Sequence, residues 1–247
     1  MKKVKILLFV IITLLLVNIS KAQNKTIGIG RLQVSLNHDI PLYDKETGLC
    51  IDTMKFSIIK SKKDKGKYTT TTKLPFKPME YYAGDSEKEA DENRGIGLIY
   101  FAPHLSFRVL KHSNNEYIVV LNEDTFETAI IKNDTVHKLY TLGKPYWNMS
   151  YGSGHYGGNP DESWFLYETW GTYLGRMMYV STDGCKLYNG INGKKINSEV
   201  NSWTVMEVKG NWAKVVERKN SPNLEIAWVQ WTDGEKFLIR RVSELYY

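Results

Sequence analysis

Leu32-Gln33-Val34-Ser35-Leu36 alternates apolar and polar side chains with period two, the pattern of a half-buried strand. Phe56-Ser57-Ile58-Ile59 and Tyr68 to Lys73 are β-branched or aromatic and flank the lysine-rich run Lys60 to Lys67, which predicts a hairpin-like pair around a solvated loop. From Phe107 to Lys132 the pattern is a meander, with strands over 107–110, 117–121 and 126–131. Its turns fall at Ser113-Asn114-Asn115 and Asn122-Glu123-Asp124, where Asn and Asp bond nearby backbone and tolerate left-handed conformations. Ile96 to Phe101 predicts a further core strand that Pro103 stops.

Two segments depart from this pattern. Asp85 to Arg94 is acidic and free of large apolar residues, which predicts a mobile loop with at most one helical turn, inside an insertion. Asn159-Pro160-Asp161-Glu162 has the character of a helix start, with a turn-forming cap, a first-turn proline and acids favoured by the dipole. Beyond it, Phe165, Trp170, Tyr173, Leu174, Met177 and Met178 form a mostly helical apolar stripe. Gly171 and Gly175 each weaken such a helix by about 1 kcal/mol, so the stripe reads as a buried connector rather than a cofactor or membrane-binding face.

The strand blocks repeat. Leu187-Tyr188-Asn189 leads to Trp203-Thr204-Val205-Met206-Glu207, then Asn211-Trp212-Ala213-Lys214-Val215-Val216, then Ile226-Ala227-Trp228-Val229. Leu42-Tyr43-Asp44 leads to Phe107-Arg108-Val109-Leu110-Lys111, then Asn115-Glu116-Tyr117-Ile118-Val119-Val120, then Thr128-Ala129-Ile130-Ile131. Order and residue class match block by block, so the expected architecture is mainly β, with two small related modules. The first spans 23–145 with an insertion at about 51–100, the second spans 181–247, and a loop and one helix over 146–180 join them.

The first residues change how charge is read. Met1-Lys2-Lys3-Val4-Lys5 is a basic start, Ile6 to Val17 is an almost unbroken apolar run, and Ser20-Lys21-Ala22 places small residues before Gln23. This predicts a cleaved secretory signal over 1–22, with an apolar run short of the roughly 20 residues that span a bilayer. The expectation is an exported protein, periplasmic or extracellular, with no membrane span after cleavage. Four lysines lie in the signal, so the formal charge of +6 falls to +2 without it, which argues against nucleic acid as a partner.

Only Cys50 and Cys185 are present. In an oxidising compartment they are candidates for a disulfide that would tie the two modules together. Neither sits in a helix-N-terminal setting with a partner histidine, as a nucleophilic cysteine would. His38, His104, His112, His137 and His155 show no metal-ligand spacing, and there is no Gly-x-Ser-x-Gly elbow and no phosphate-binding loop. Neither cofactor nor metal is expected, and no catalytic residue is assigned.

The last sixty or so residues resemble bacterial SH3-like (SH3b) domains. Gly210-Asn211-Trp212-Ala213-Lys214-Val215 is similar to that family's Gly-x-Trp-x-x-Val strand, and Ala227-Trp228-Val229 stands where it has Gly-Trp-Val. Leu187-Tyr188-Asn189-Gly190 departs from the family's usual opening. The resemblance implies small SH3-like barrels of about five curved strands that bind cell-wall peptides or proline-containing segments.

Aromatics make up 13% of the chain, a share that suits both small barrel cores and sugar-binding surfaces. Four glycines in Pro145 to Pro160 leave Tyr146, Trp147, Tyr151, His155 and Tyr156 as flat faces for a sugar or peptide, or as the aromatics of an interdomain loop. Alternation assigns Ala227 and Val229 to the core and turns Trp228 outward, where it joins this candidate binding set. The leading expectation is a secreted, non-catalytic tandem SH3-like protein that binds a cell-wall peptide, a glycan or an envelope protein. The alternatives are an exported hydrolase with a fold-assembled acid/base site, for instance from His155, Asp161 and Glu162, and a structural docking subunit of an envelope complex.

Overall fold

The computed structural model describes residues 25–95, 100–101, 103–133, 138–141, 155–156, 164–177, 179–200, 202–217 and 225–243. The fold is mainly β. The strands of the N-terminal half are β1 (Gly30–Ser35), β2 (Ile40–Tyr43), β3 (Cys50–Ile58), β4 (Tyr68–Thr71), β5 (Glu80–Tyr82), β6 (Tyr100–Phe101), β7 (His104–Ser113), β8 (Glu116–Asn122) and β9 (Glu127–Lys132). Next come β10 (Lys138–Thr141), β11 (His155–Tyr156) and β12 (Trp164–Thr169), and then β13 (Tyr179–Ser181), β14 (Leu187–Tyr188), β15 (Lys195–Ile196), β16 (Ser202–Lys209), β17 (Trp212–Glu217), β18 (Ile226–Gln230) and β19 (Arg240–Ser243). Helix α1 spans Glu87–Gly95 and α2 spans Trp170–Gly175.

Two sheets follow the same path. The first runs β12-β1-β7-β8-β9-β2-β3, extended by β10 at one edge and β4 at the other, and the second runs β19-β13-β16-β17-β18-β14-β15. Registers coincide as well as order. Leu32 pairs with Phe107 as Val180 pairs with Trp203, and Ile118 pairs with Ile130 as Lys214 pairs with Trp228. Val109 pairs with Val119 as Val205 pairs with Val215, and a β-bulge follows each, at Leu110 and Met206. The next hairpin turns with a left-handed residue in both sheets, Asn114 (φ 50°) and Gly210 (φ 54°). Each sheet buries its own core, around Leu32, Phe107 and Val119 in the first and Val180, Trp203 and Val215 in the second.

The predicted helix over 159–178 is corrected. Trp164–Thr169 is a strand, hydrogen-bonded between β1 and β10, and among the described residues of this segment only Trp170–Gly175 is helical. Its N-cap Thr169 accepts the Thr172 N–H at 3.2 Å, while Trp170, Tyr173 and Leu174 bury their side chains. β12 is buried on both faces, so it carries the unbroken apolar run that strand and helix share.

Residues 25–28 cross from one half to the other. Ile27 packs in the second core and its N–H donates to Gly234 O, while the Trp170 indole donates to Ile27 O and Gly28 O at 3.0 Å. Arg108 of β7 completes the junction. Its Nη1 donates to Thr26 O and Glu235 O, both at 2.7 Å, and its Nε and Nη2 grip Glu123 at 3.1 and 2.7 Å.

The acidic segment is a nine-residue helix, not a mobile loop. Ser86 and Glu89 form a reciprocal capping box, the Ser86 Oγ accepting from Glu89 N and the Glu89 carboxylate accepting from Ser86 N. The lysine-rich loop docks against this helix, with Lys65–Glu87 at 3.0 Å and Lys67–Glu89 at 2.9 Å. The Ser86 N–H, together with Lys67, holds the Glu89 carboxyl down at about 2. An unfolded Glu89 protonates near 4.5, so its contribution is full above that pH and is lost as pH falls towards 2. Amide exchange at Gly66 and Lys67, corrected for intrinsic rates, is expected to accelerate over that window in the native protein. Glu89→Gln removes the pH dependence; a loop that loosens identically in the variant refutes the linkage.

Candidate functional site

Along β18, Ala227 and Val229 enter the core while Trp228 and Gln230 stay half-buried on the other side. Strand pairing carries this outward set across the second sheet. Trp228 lies opposite Tyr188 of β14 and Lys214 of β17; Tyr188 lies opposite Lys195 of β15, and Lys214 opposite Glu207 of β16. The adjoining row holds Gln230, Trp212 and Lys209.

The side chains of these rows touch. The rings of Tyr188 and Trp212 meet edge-on, 5.3 Å apart at 83°. The Lys209 ammonium stands 5.7 Å from the centroid of Trp228 and pairs with Glu207 at 2.7 Å. Met206 and Ile226, 66% and 53% exposed, add aliphatic surface in the same sheet. The result is a shallow aromatic face with polar groups between the rings, suited to holding a flat or aliphatic ligand surface rather than to bond-breaking.

The first sheet provides an internal comparison. The corresponding rows hold Cys50, Tyr43, Ile130, Ile118 and Lys111, then Lys132, Glu116 and Ser113. Lys132 bonds Glu116 at 3.1 Å and covers the Tyr43 ring at 4.5 Å, so an ion pair occupies the place of Gln230 and Trp212. The same strand path is therefore built without the two tryptophans, and Trp212 and Trp228 are not demanded by the fold.

Trp228 is the one candidate binding residue that the structure places on this face. His155 and Tyr156 form β11, which pairs in parallel with Tyr100–Phe101 of β6 and with neither large sheet. Tyr146, Trp147, Tyr151, Asp161 and Glu162 lie outside the described residues. Cys50 and Cys185 are both free thiols. The Cys50 Sγ donates to Asp52 O and the Cys185 Sγ to Leu238 O, each at 3.3 Å. Burial, with Asp183 nearby, pushes the Cys185 thiol up, opposite to what a nucleophile needs.

A concentration of buried charge lies where β1, β12 and α2 meet. Arg31, fully buried, donates to Glu168 at 2.8 Å and to Gln33 at 3.1 Å, and Tyr173 covers its guanidinium at 4.2 Å. Arg176 grips the same carboxylate through Nε and Nη2. Burial alone would push the Glu168 carboxyl up, but the Arg176 hydrogen bonds and the charge of Arg31 hold it below the usual carboxylate range. With arginines on both oxygens, Glu168 is neither a free base nor an acid near neutral pH. A half-open cavity of about 180 Å³, lined by Tyr173, Leu174, Met177, Val180, Phe237 and Ile239, is apolar and holds no acid–base pair. Among the described residues no three His, Cys, Asp or Glu side chains group to hold a metal ion, and no helix is long and apolar enough to cross a membrane.

Comparison of the chain with family models, curated proteins and solved structures finds no match. The reading of the face therefore rests on its own geometry. Sequence reasoning passed over Tyr188, Trp212, Lys195, Lys209 and Lys214 as site residues. Alternation within Trp212-Ala213-Lys214-Val215 is a local signal that turns Trp212 and Lys214 outward, whereas Tyr188 and Lys195 join them only through pairing between distant segments.

Proposed function

We propose that the protein is an exported, non-catalytic pair of SH3-like modules that holds a cell-envelope component on the outer face of its second sheet. The observation that carries this reading is the pair Trp212 and Trp228, half-buried beside Tyr188, where the first sheet has Glu116 and Ile130. The basic and apolar N-terminus supports export, and the Gly-x-Trp-x-x-Val pattern at 210–215 supports the SH3-like assignment. Flat indoles presented on a rigid sheet bind with little loss of side-chain freedom.

The test uses two variants of the purified protein and sedimented bacterial envelope material. Trp228→Ala and Trp212→Glu, the latter introducing the first sheet's residue, are expected to leave the melting temperature nearly unchanged and to weaken retention at least tenfold. Retention equal to that of the unsubstituted protein refutes the reading. Should Trp228→Ala lower the melting temperature sharply, Trp212→Glu decides, because the first sheet accommodates glutamate at that place.

A further inference from the structure

In the two rows of this face, each outward aromatic residue has a lysine opposite it: Tyr188 with Lys195, Trp228 with Lys214, and Trp212 with Lys209. Lys195 and Lys209 are exposed and Lys214 half-exposed. The only acid in these two rows is Glu207, already paired with Lys209. The face therefore carries a positive excess threaded between three rings. None of this belongs to the strand path itself, since the first sheet has Cys50, Ile118 and Ser113 where the second has Lys195, Lys214 and Lys209.

From this alternation we infer that the ligand is an acidic polysaccharide, a chain of sugar rings bearing carboxylates. This rests on the proposed binding face and names its ligand class. Sugar rings present flat C–H faces that stack on indole and phenol rings, and their carboxylates are met by ammonium groups at the ring edges. Adjacent strands lie about 4.8 Å apart, close to the length of one pyranose unit, so neighbouring strands can address neighbouring sugars. Half-buried aromatics held edge-on to one another on the sheet suit a rigid ring polymer better than a fluid bilayer, where insertion calls for protruding side chains. Single-stranded nucleic acid shares the need for rings and cations, but the export signal read from residues 1–22 points to an envelope polyanion.

The test is affinity electrophoresis of the purified protein through gels containing polygalacturonate, with an uncharged glucan, oligo-dT and phosphatidylglycerol vesicles as comparison probes. Polygalacturonate is expected to bind at least tenfold more tightly than the glucan and in a salt-sensitive manner. The triple variant K195Q/K209Q/K214Q is expected to lose at least tenfold in affinity for it at an unchanged melting temperature. Equal affinity for the neutral glucan, full binding by the triple variant, or tighter binding to oligo-dT or vesicles overturns the inference. If the lysine variant leaves binding untouched while Trp228→Ala abolishes envelope retention, the binding face stands and the acidic ligand falls. If neither substitution matters, both fall.

Discussion

Truncating Glu168 to alanine is expected to cost about 3–5 kcal/mol of stability, as removal of one partner from a buried ion pair generally does. The loss is large because the partner cannot escape. Arg31 lies in β1, between β7 on one side and β12 on the other, with no exposed surface and with Tyr173 over its guanidinium. Removing the carboxylate leaves that charge with Gln33 and with Glu80 at 3.4 Å, a weak replacement for the 2.8 Å contact. Arg176, partly exposed, can turn to water and contributes less. Urea unfolding of Glu168→Ala and of the double variant Arg31→Met/Glu168→Leu separates the pair's net worth from the cost of breaking it. The double variant is expected to be the more stable of the two, since no charge is then left buried. A loss under about 1 kcal/mol in Glu168→Ala would show that water reaches Arg31.

The second large effect is expected at Trp203. It is fully buried, and its indole N–H donates to Val200 O at 3.1 Å. Trp203→Ala empties the centre of the second core and is expected to cost about 3–5 kcal/mol. Trp203→Phe is expected to cost far less, because Phe107 fills the corresponding place beside Leu32 in the first sheet. Denaturant midpoints read both, and an unchanged slope identifies a change in stability rather than in compactness. Trp203 and Trp228 face opposite sides of one sheet, so similar losses from truncating either would mean that the outer face is covered.

The mainly β character and the meander of β7, β8 and β9 were the most legible parts of the fold in the sequence. Blocks such as Leu187-Tyr188 and Ala227-Trp228-Val229 keep residue class because each places the same side chain on the same face of a strand. The segment from Trp164 to Thr169 was misread because burial of both faces erases the period-two alternation and leaves an apolar run that periodicity cannot assign. Helix α1 was missed for the opposite reason. It has no apolar stripe, and its support comes from the Ser86–Glu89 box and from lysines some twenty residues away. The box could have been read from Ser86-x-x-Glu89; the lysine contacts could not. At the proposed binding face, the outward turn of Trp228 was legible from alternation within β18, whereas the row Lys195-Tyr188-Trp228-Lys214 is created by three strand pairings between distant segments.

The crossing of residues 25–28 bears on how the chain comes to fold. Ile27 and Gly234 lie more than two hundred residues apart in sequence, yet a backbone hydrogen bond joins them and Ile27 belongs to the second core. A nascent chain can assemble β7 to β9, whose partners are neighbours, long before that contact is possible. The second core instead closes only once the segments around Ile27 and Gly234 are free to meet, a non-local step of the kind that slows folding. Until then the surface meant for Ile27 stays open, so the second core is left with an uncovered apolar edge for as long as these two segments remain apart.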